Sequence, residues 1–319
     1  MTTSAIAELI DDLQAMLRIR LFEEKVRDLR LAGDIVGSVH LCIGQEAGPV
    51  GACSVMNAED ALFATYRGHG WAIARGVPLE PLFAELLGRE SGLCAGRAGS
   101  AYLTAPRYGF YGENSIVGAG APIAVGAALA GRHDGSNRVA VTVFGDGALN
   151  QGSVHEALNF AAAFRLPVVF VCENNKWSEL TAIEEMVGEP ELWRRAAGYG
   201  MRGERVDGND PAAVRRSVGS AIGMARRGEG PALLELMTER LVGHYIGDAE
   251  QYRRPGEVEE ARTREPLVRV RARLERAGAG PEEIEDVEKR VAQEVHAAAE
   301  AALDQPLADP ASIGEHVYV

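Results

Sequence analysis

The chain has 319 residues, enough for one large α/β domain with an extension and for a sizeable core. Its 33 basic against 46 acidic residues give a formal net charge of −13. That excludes a nucleic-acid partner held over a broad surface but leaves room for a local basic pocket.

No stretch of 18 apolar residues is present, and Met1 to Asp12 already carries acids in place of a basic-then-apolar leader. Cys42, Cys53, Cys94 and Cys172 are scattered without CxxC or zinc spacing. A cytoplasmic protein with reduced thiols is expected.

Residues 4–31 predict a helix, with Leu9, Leu13, Met16, Leu17 and Leu21 on its apolar side and Gly33 as its stop. Residues 34–120 are rich in glycine and loop signals, with a short helix at Leu79–Leu87. Residues 122–131, PIAVGAALAG, form a small-residue helix that permits close packing, within the chain or against a partner.

The apolar run Val139–Phe144 reads as a strand and ends at Gly145-Asp146-Gly147. Ser153 and Glu156 match an S-x-x-E capping box at the start of a helix running to about Phe164. Pro167 closes that connection, and a second strand, Val168–Cys172, leads to Asn174-Asn175. Asp210-Pro211 opens a helix to about Arg226, and Pro231–Met237 reads as a further strand.

Residues 238–265 are mixed polar with Gly and Pro, the composition of a functional loop. After Pro281 comes a tail helix with Ile284, Val287, Val291, Val295, Ala298 and Ala302 at helical spacing, stopped by Pro306. Strands alternating with helices predict an α/β fold whose mainly parallel sheet is covered on both faces, with helical N- and C-terminal extensions. Residues 1–265 are expected to form the main domain and 266–319 a helical extension packed on it.

Asp146 and Asn175 close two neighbouring strands. A carboxylate and a carboxamide so placed can share a hard cation such as Mg²⁺, which completes its shell with water and phosphate oxygens. Glycines on both sides of Asp146 let the backbone approach a diphosphate. A glycine-flanked Asp in a strand-to-helix turn is also a common structural feature or a metal site of another kind. The Asn pair at the next strand end favours the metal–diphosphate reading.

The segment GDGALNQGSVHEALNFAAAFRLPVVFVCENN, 145–175, resembles the thiamine diphosphate motif of the alpha subunits of 2-oxo-acid and acetoin dehydrogenases. SVHLCIGQEAGPVGA at 38–52, YRGHGWAIARG at 66–76, SIVGAGAPIAVGAA at 115–128 and GHYIGD at 243–248 agree with it in order. The resemblance covers roughly residues 15–265. It implies a three-layer thiamine diphosphate-binding fold, with thiamine diphosphate and Mg²⁺ as cofactors.

Carried over by position, the resemblance makes Asp146 and Asn175 the side-chain ligands of Mg²⁺. Trp177, where the family usually has Tyr, supplies a backbone carbonyl. Gly147 and Ala148 offer N–H groups to the diphosphate, and Tyr66, Arg67 and Arg240 are its side-chain partners. Val117 is the apolar wedge that bends the cofactor, and Ser115 and Val117 meet the aminopyrimidine with backbone groups. The family commonly has Gly at Ser115. His40 and His244 correspond to active-site histidines that hold a substrate carboxylate or move protons. His244 also lies at the cofactor. His69 is either a third active-site histidine or a structural partner of its loop. His133, His155, His296 and His316 have no motif context.

In this family the glutamate that activates the aminopyrimidine comes from a beta subunit, and no Glu here matches that role. The resemblance thus implies half an active site, completed by a beta subunit in an α₂β₂ assembly, with a lipoyl-bearing acyltransferase as acceptor. Two departures stand out. Ala98-Gly99-Ser100-Ala101-Tyr102 replaces G-G-S-M-H, so Tyr102 stands for a histidine. Tyr245 stands at the serine that regulatory kinases modify in animal relatives, so that control is absent here.

GHYIGDAEQYR favours the acetoin branch over the animal pyruvate branch. The implied activity is cleavage of pyruvate or acetoin with transfer of the acyl or hydroxyalkyl unit to a lipoyl domain. A thiamine-dependent carboligase and a non-catalytic scaffold subunit are the alternatives. A phosphotransferase is not supported, because the sequence has no P-loop and only three lysines.

Overall fold

The structure, a computed structural model, describes residues 3–315; His316 lies outside them. Its helices are α1 (Thr3–Ala32), α2 (Ala47–Cys53), α3 (His69–Ala74), α4 (Leu79–Leu86), α5 (Gly120–Asp134), α6 (Gly152–Ala163), α7 (Ile183–Met186), α8 (Pro211–Arg226), α9 (Glu257–Arg262), α10 (Pro266–Ala277) and α11 (Pro281–Leu303). Its strands are β1 (Ala61–Phe63), β2 (Ala140–Gly145), β3 (Val168–Asn174), β4 (Trp177–Ser178), β5 (Thr181–Ala182), β6 (Arg202–Asp207) and β7 (Ala232–Met237).

Five strands make one parallel sheet in the order β1-β2-β3-β7-β6, and β4 and β5 pair as a short antiparallel ribbon. The chain advances across the sheet from β1 to β3, jumps to the far edge at β6 and returns to β7. The direction of winding therefore reverses between β3 and β7, the place where open α/β sheets leave a crevice at their carboxyl ends. Gly145 lies opposite Glu173, and Asn174 lies opposite Met237. That register brings the residues just past β2, β3 and β7 into line at the mouth of the crevice.

Alternation along the central strands accounts for the layers. Val141, Val143, Val169, Val171, Leu234 and Leu236 join a core with α1, α2 and α8. Ala140, Phe144, Val168, Phe170, Cys172 and Leu233 join a second core with α5 and α6. The α10 and α11 helices pack on α1, and α11 also packs on α4.

Several expectations needed revision. The Ser153–Glu156 capping box does not form. The helix α6 begins at Gly152 with Gln151 as its cap and no side-chain cap bond, because the Gly147–Asn150 turn takes up the entry to the helix. In α1 and α11, Leu21 and Ala298 pack against the core partly buried, while the neighbouring Phe22 and Ala299 are the fully buried residues. The glycine-rich stretch 34–120 contains α2, β1 and α3 in addition to the expected helix α4. The edge strand β6, RGERVD, escaped because it has no apolar alternation; charge on an edge strand blocks pairing with other chains. The cap at α8 forms as expected: Asp210 accepts from Ala212 N–H at 3.1 Å, a contact worth about 1 kcal/mol.

Candidate cofactor site

At the carboxyl ends of β2, β3 and β7 lies a cavity of about 560 Å³. Asp146, Gly147 and Ala148 reach it from the turn after β2, and Asn175 and Trp177 from the turn after β3. Arg240 and His244 come from the loop after β7, His40, Tyr66 and Arg67 from the loops before α2 and α3, and Ser115 and Val117 from the segment before α5. Of the residues to which the sequence gave a possible site role, all but His69 thus line one space.

The Asp146 carboxylate is buried and half used. Its Oδ1 accepts from Gly147 N–H at 2.8 Å, whereas Oδ2 has no partner among the described residues. The Gly147 N–H therefore points at Asp146 in this structure and not at the space expected for a diphosphate. Position 147 favours glycine, since a Cβ there would lie 2.7 Å from the Ser178 Cβ on β4, a contact that turning the hydroxyl does not relieve. Burial pushes the Asp146 carboxyl up to about 6.

The two asparagines divide their tasks. Asn174 turns into the sheet, donating to Glu235 Oε1 at 2.6 Å and accepting from Lys176 N–H at 3.0 Å. Asn175 faces the cavity. Its Oδ1 accepts from Trp177 N–H at 3.2 Å and its Nδ2 donates to Gln45 Oε1 at 3.0 Å. Among the described residues no cluster of three or more His, Cys, Asp or Glu side chains could hold a metal. A cation here would rest on one carboxylate, one amide oxygen and a backbone carbonyl, with its other ligands from water or an anion.

Positive charge is concentrated opposite. Arg67 is buried and donates to the carbonyls of Leu41 and, at 2.9 Å, His244. Arg240 donates to the Glu179 carbonyl at 3.1 Å and to the Tyr252 hydroxyl at 2.7 Å, leaving Nε unpartnered among the described residues. Burial, with Arg67 next in weight, brings Arg240 down to about 10.

The imidazoles of His40 and His244 meet edge to face with centroids 4.8 Å apart, and Tyr66 lies 4.3 Å from His40. Burial and the Arg67 guanidinium push His40 down to about 3 and His244 to about 4. Both are neutral at physiological pH. The cavity therefore sets two guanidiniums, Arg67 and Arg240, beside the carboxylates of Asp146, Glu173 and Glu179 and keeps one Asp146 oxygen unpaired, a setting that a polyanion carrying a divalent cation would complete.

His69 does not reach the cavity. It is fully buried, with Nδ1 at 2.9 Å from Glu23 Oε2 and Nε2 at 2.9 Å from Ser100 Oγ. Burial opposes its protonation, but the Glu23 carboxylate outweighs that and holds it at about 9. Its structural reading is the one the geometry favours. Tyr102 is 53% exposed and lies in a separate groove with Cys94 and Thr104. Tyr245 is exposed, 6.4 Å from the rings of both His40 and His244. Glu156 does not line the cavity.

Sequence reasoning missed Gln45, Tyr252 and Asp248. Tyr252 donates to Asp248 Oδ2 at 2.7 Å, and Asp248 accepts from His244 N–H at 2.6 Å. All three lie inside or beside recognised strings, IGQEA and GHYIGDAEQYR.

Residues 14–311 match the sequence model of the family described as dehydrogenase E1 component. The chain is 40% identical over 307 residues to the alpha subunit of acetoin:2,6-dichlorophenolindophenol oxidoreductase of Bacillus subtilis, covering 96% of this chain and 92% of that one. The subunit of the same name from Cupriavidus necator is 40% identical over 306 residues, covering 95% and 92%. The pyruvate dehydrogenase E1 component subunit alpha of Rhizobium meliloti is 38% identical over 304 residues, covering 94% and 87%. With its site-lining residues gathered at the switch point of a parallel sheet, the chain belongs to the dehydrogenase E1 component family, as an alpha-type oxidoreductase subunit.

Proposed function

We propose that this chain is the alpha half of a thiamine diphosphate- and Mg²⁺-dependent dehydrogenase. The substrate is pyruvate or acetoin, and the acyl or hydroxyalkyl unit passes to a lipoyl domain. The observation that carries this reading is the buried, unpartnered Asp146 Oδ2 in a cavity that also holds Arg67 and Arg240. The similarity to acetoin and pyruvate oxidoreductase subunits supports the substrate class.

Bound in this cavity, the cofactor would supply the electron sink for cleaving a carbon–carbon bond. This chain's own residues bind and position it. Asp146, Asn175 and the Trp177 carbonyl hold the cation. Tyr66, Arg67, Arg240, Gly147 and Ala148 hold the diphosphate, which requires the Gly147 N–H to turn from Asp146 Oδ1. Ser115 and Val117 support the aminopyrimidine. His40 and His244, neutral as they stand, bind the substrate's anionic or carbonyl oxygen and accept or return a proton.

No carboxylate in this chain is assigned to the aminopyrimidine. That role falls to a beta subunit in an α₂β₂ heterotetramer, with a lipoyl-bearing acyltransferase as the next partner. A cytoplasmic setting accords with four unpaired cysteines, and no helix among the described residues is long and apolar enough to cross a membrane.

The test is calorimetric titration of the chain, co-purified with its beta partner, with thiamine diphosphate in the presence and absence of Mg²⁺. A ferricyanide-coupled screen of pyruvate, acetoin and branched 2-oxo acids follows. Mg²⁺-dependent binding and turnover of pyruvate or acetoin are expected. Absence of binding ends the proposal.

A further inference from the structure

Gln45 lies on the floor of the cavity, almost wholly buried, in the tight turn before α2. Three elements meet at its amide. Its Oε1 accepts from Asn175 Nδ2, past the end of β3, at 3.0 Å. The same oxygen accepts from Thr238 Oγ1, past the end of β7, at 3.2 Å. Its Nε2 has no partner among the described residues.

The turn that carries Gln45 is rigid. Gly44 has φ +96°, and a Cβ there would sit 2.1 Å from the Glu239 carbonyl oxygen, so only glycine fits. Gly44 N–H donates to both carboxylate oxygens of Glu46, which is ion-paired with Arg20.

These contacts fix which way the Asn175 amide faces. Trp177 N–H can only donate, so the oxygen of Asn175 must face it. The nitrogen then needs an acceptor, and Gln45 Oε1 is that acceptor. Turning the Asn175 amide over would set N–H against N–H at Trp177 and oxygen against oxygen at Gln45. Thr238 Oγ1 donates to the same oxygen and anchors the Gln45 side chain, whose orientation is set by Asn175. The donor end of Gln45 is left in the cavity, buried without an acceptor, a state that a ligand oxygen would relieve.

We propose that Gln45, held by Thr238, is a positioning residue that presents the Asn175 amide oxygen to the divalent cation, with its own Nε2 completed by an oxygen of the bound anion. This rests on the metal–diphosphate reading of the cavity.

The test uses the chain with its beta partner and follows binding, not turnover. Thiamine diphosphate binding is titrated against Mg²⁺ by calorimetry in wild type, Gln45→Met, Gln45→Glu and Thr238→Val, with the melting temperature of each cofactor-free protein as the folding control. Partners that orient a metal ligand are typically worth about 10–100-fold in metal affinity. The Gln45→Met variant should therefore raise the Mg²⁺ half-saturation concentration by roughly that factor. A carboxylate still accepts from Asn175. The Gln45→Glu variant should keep Mg²⁺ half-saturation within about threefold and instead weaken thiamine diphosphate itself, having lost the donor. Thr238→Val should shift Mg²⁺ half-saturation in the same direction as Gln45→Met, by less.

A folded Gln45→Met protein with wild-type Mg²⁺ dependence overturns the proposal. If that variant does not fold, an unchanged Mg²⁺ dependence in Thr238→Val overturns it. Wild-type protein that binds neither cofactor nor Mg²⁺ refutes the parent reading, an outcome visible before any variant is made.

Discussion

Arg240 donates to the hydroxyl of Tyr252 at 2.7 Å, and that hydroxyl donates onward to Asp248. Asp248 also caps the backbone N–H of His244. One short chain of bonds thus ties the guanidinium to the backbone that carries the neighbouring histidine. The ring of Tyr252 packs on Trp177, with centroids 4.8 Å apart. Arg253 lies over both rings and donates to the carbonyls of Arg240 and Val242. The loop after β7 is therefore fastened to the turn after β3 by side chains that do not themselves reach for a ligand.

Replacing Tyr252 with Phe keeps the ring packing and removes both hydroxyl contacts. A hydrogen bond to a charged group is worth about 1.5–3 kcal/mol. Thiamine diphosphate affinity should fall by roughly 10-fold or more, with the melting temperature little changed. Calorimetric titration checks it, and an affinity equal to wild type would show that Arg240 is held well enough by Glu179 alone.

Asp146→Ala should abolish Mg²⁺-dependent cofactor binding. The variant removes the one carboxylate that lines the cavity at the end of β2, leaving the diphosphate charge to Arg67 and Arg240 without a cation to bridge it. Titration of thiamine diphosphate with and without Mg²⁺ is the measurement. Retained Mg²⁺ dependence would refute the metal assignment.

The parts of the site that were legible in the sequence are those fixed by local chain geometry. Asp146 and Asn175 each follow an apolar run that can only be a buried strand, and parallel neighbours place their ends side by side. Gln45 was not legible, because its meaning comes from contacts 130 and 193 residues away along the chain. Tyr252 and Asp248 were unreadable for a similar reason: their partners, Arg240 and the His244 backbone, are brought to them by a loop with no periodicity. His69 shows the converse. Its string YRGHG suggested the cavity, but α3 begins at this residue and turns the ring toward Glu23 on α1. In the fold, β6 was missed because an edge strand rich in charge carries no apolar period of two.

His244→Ala should leave cofactor affinity nearly intact and lower turnover by roughly 10²-fold or more, the usual scale for a proton-transferring group. The distinction is built into the structure: Arg67 is held by the carbonyl of His244 and not by its imidazole, so truncation spares the guanidinium. Steady-state kinetics beside calorimetry separates the two quantities. Equal losses of binding and turnover would make His244 a cofactor ligand instead.

Stability of the cofactor-free protein should fall as pH rises from about 6.5 to 9, the window set by three buried groups that hold protons more tightly folded than unfolded. His69 keeps its proton to about 9 in the folded chain against an ordinary 6.5, so its contribution is complete below 6.5 and lost through 9. Burial raises Glu113 to about 8 and Glu173 to about 7 from an ordinary 4.5. Each therefore opposes folding increasingly once the unfolded chain would ionise it, until the folded group ionises too. His40 and His244 do not counter this. Their depressed values make stability rise with pH only up to 6.5, where the unfolded histidines have already lost their protons. Both oxygens of Glu113 lack hydrogen-bond partners among the described residues, so Glu113→Gln removes a titration without breaking a contact. Scanning calorimetry at pH 6.5, 7.5 and 8.5 should show a falling melting temperature in wild type and a shallower fall below pH 8 in the variant. A melting temperature that rises across this range would overturn the assignment of the three groups, and identical slopes in the two proteins would mean that Glu113 is already ionised in the folded chain.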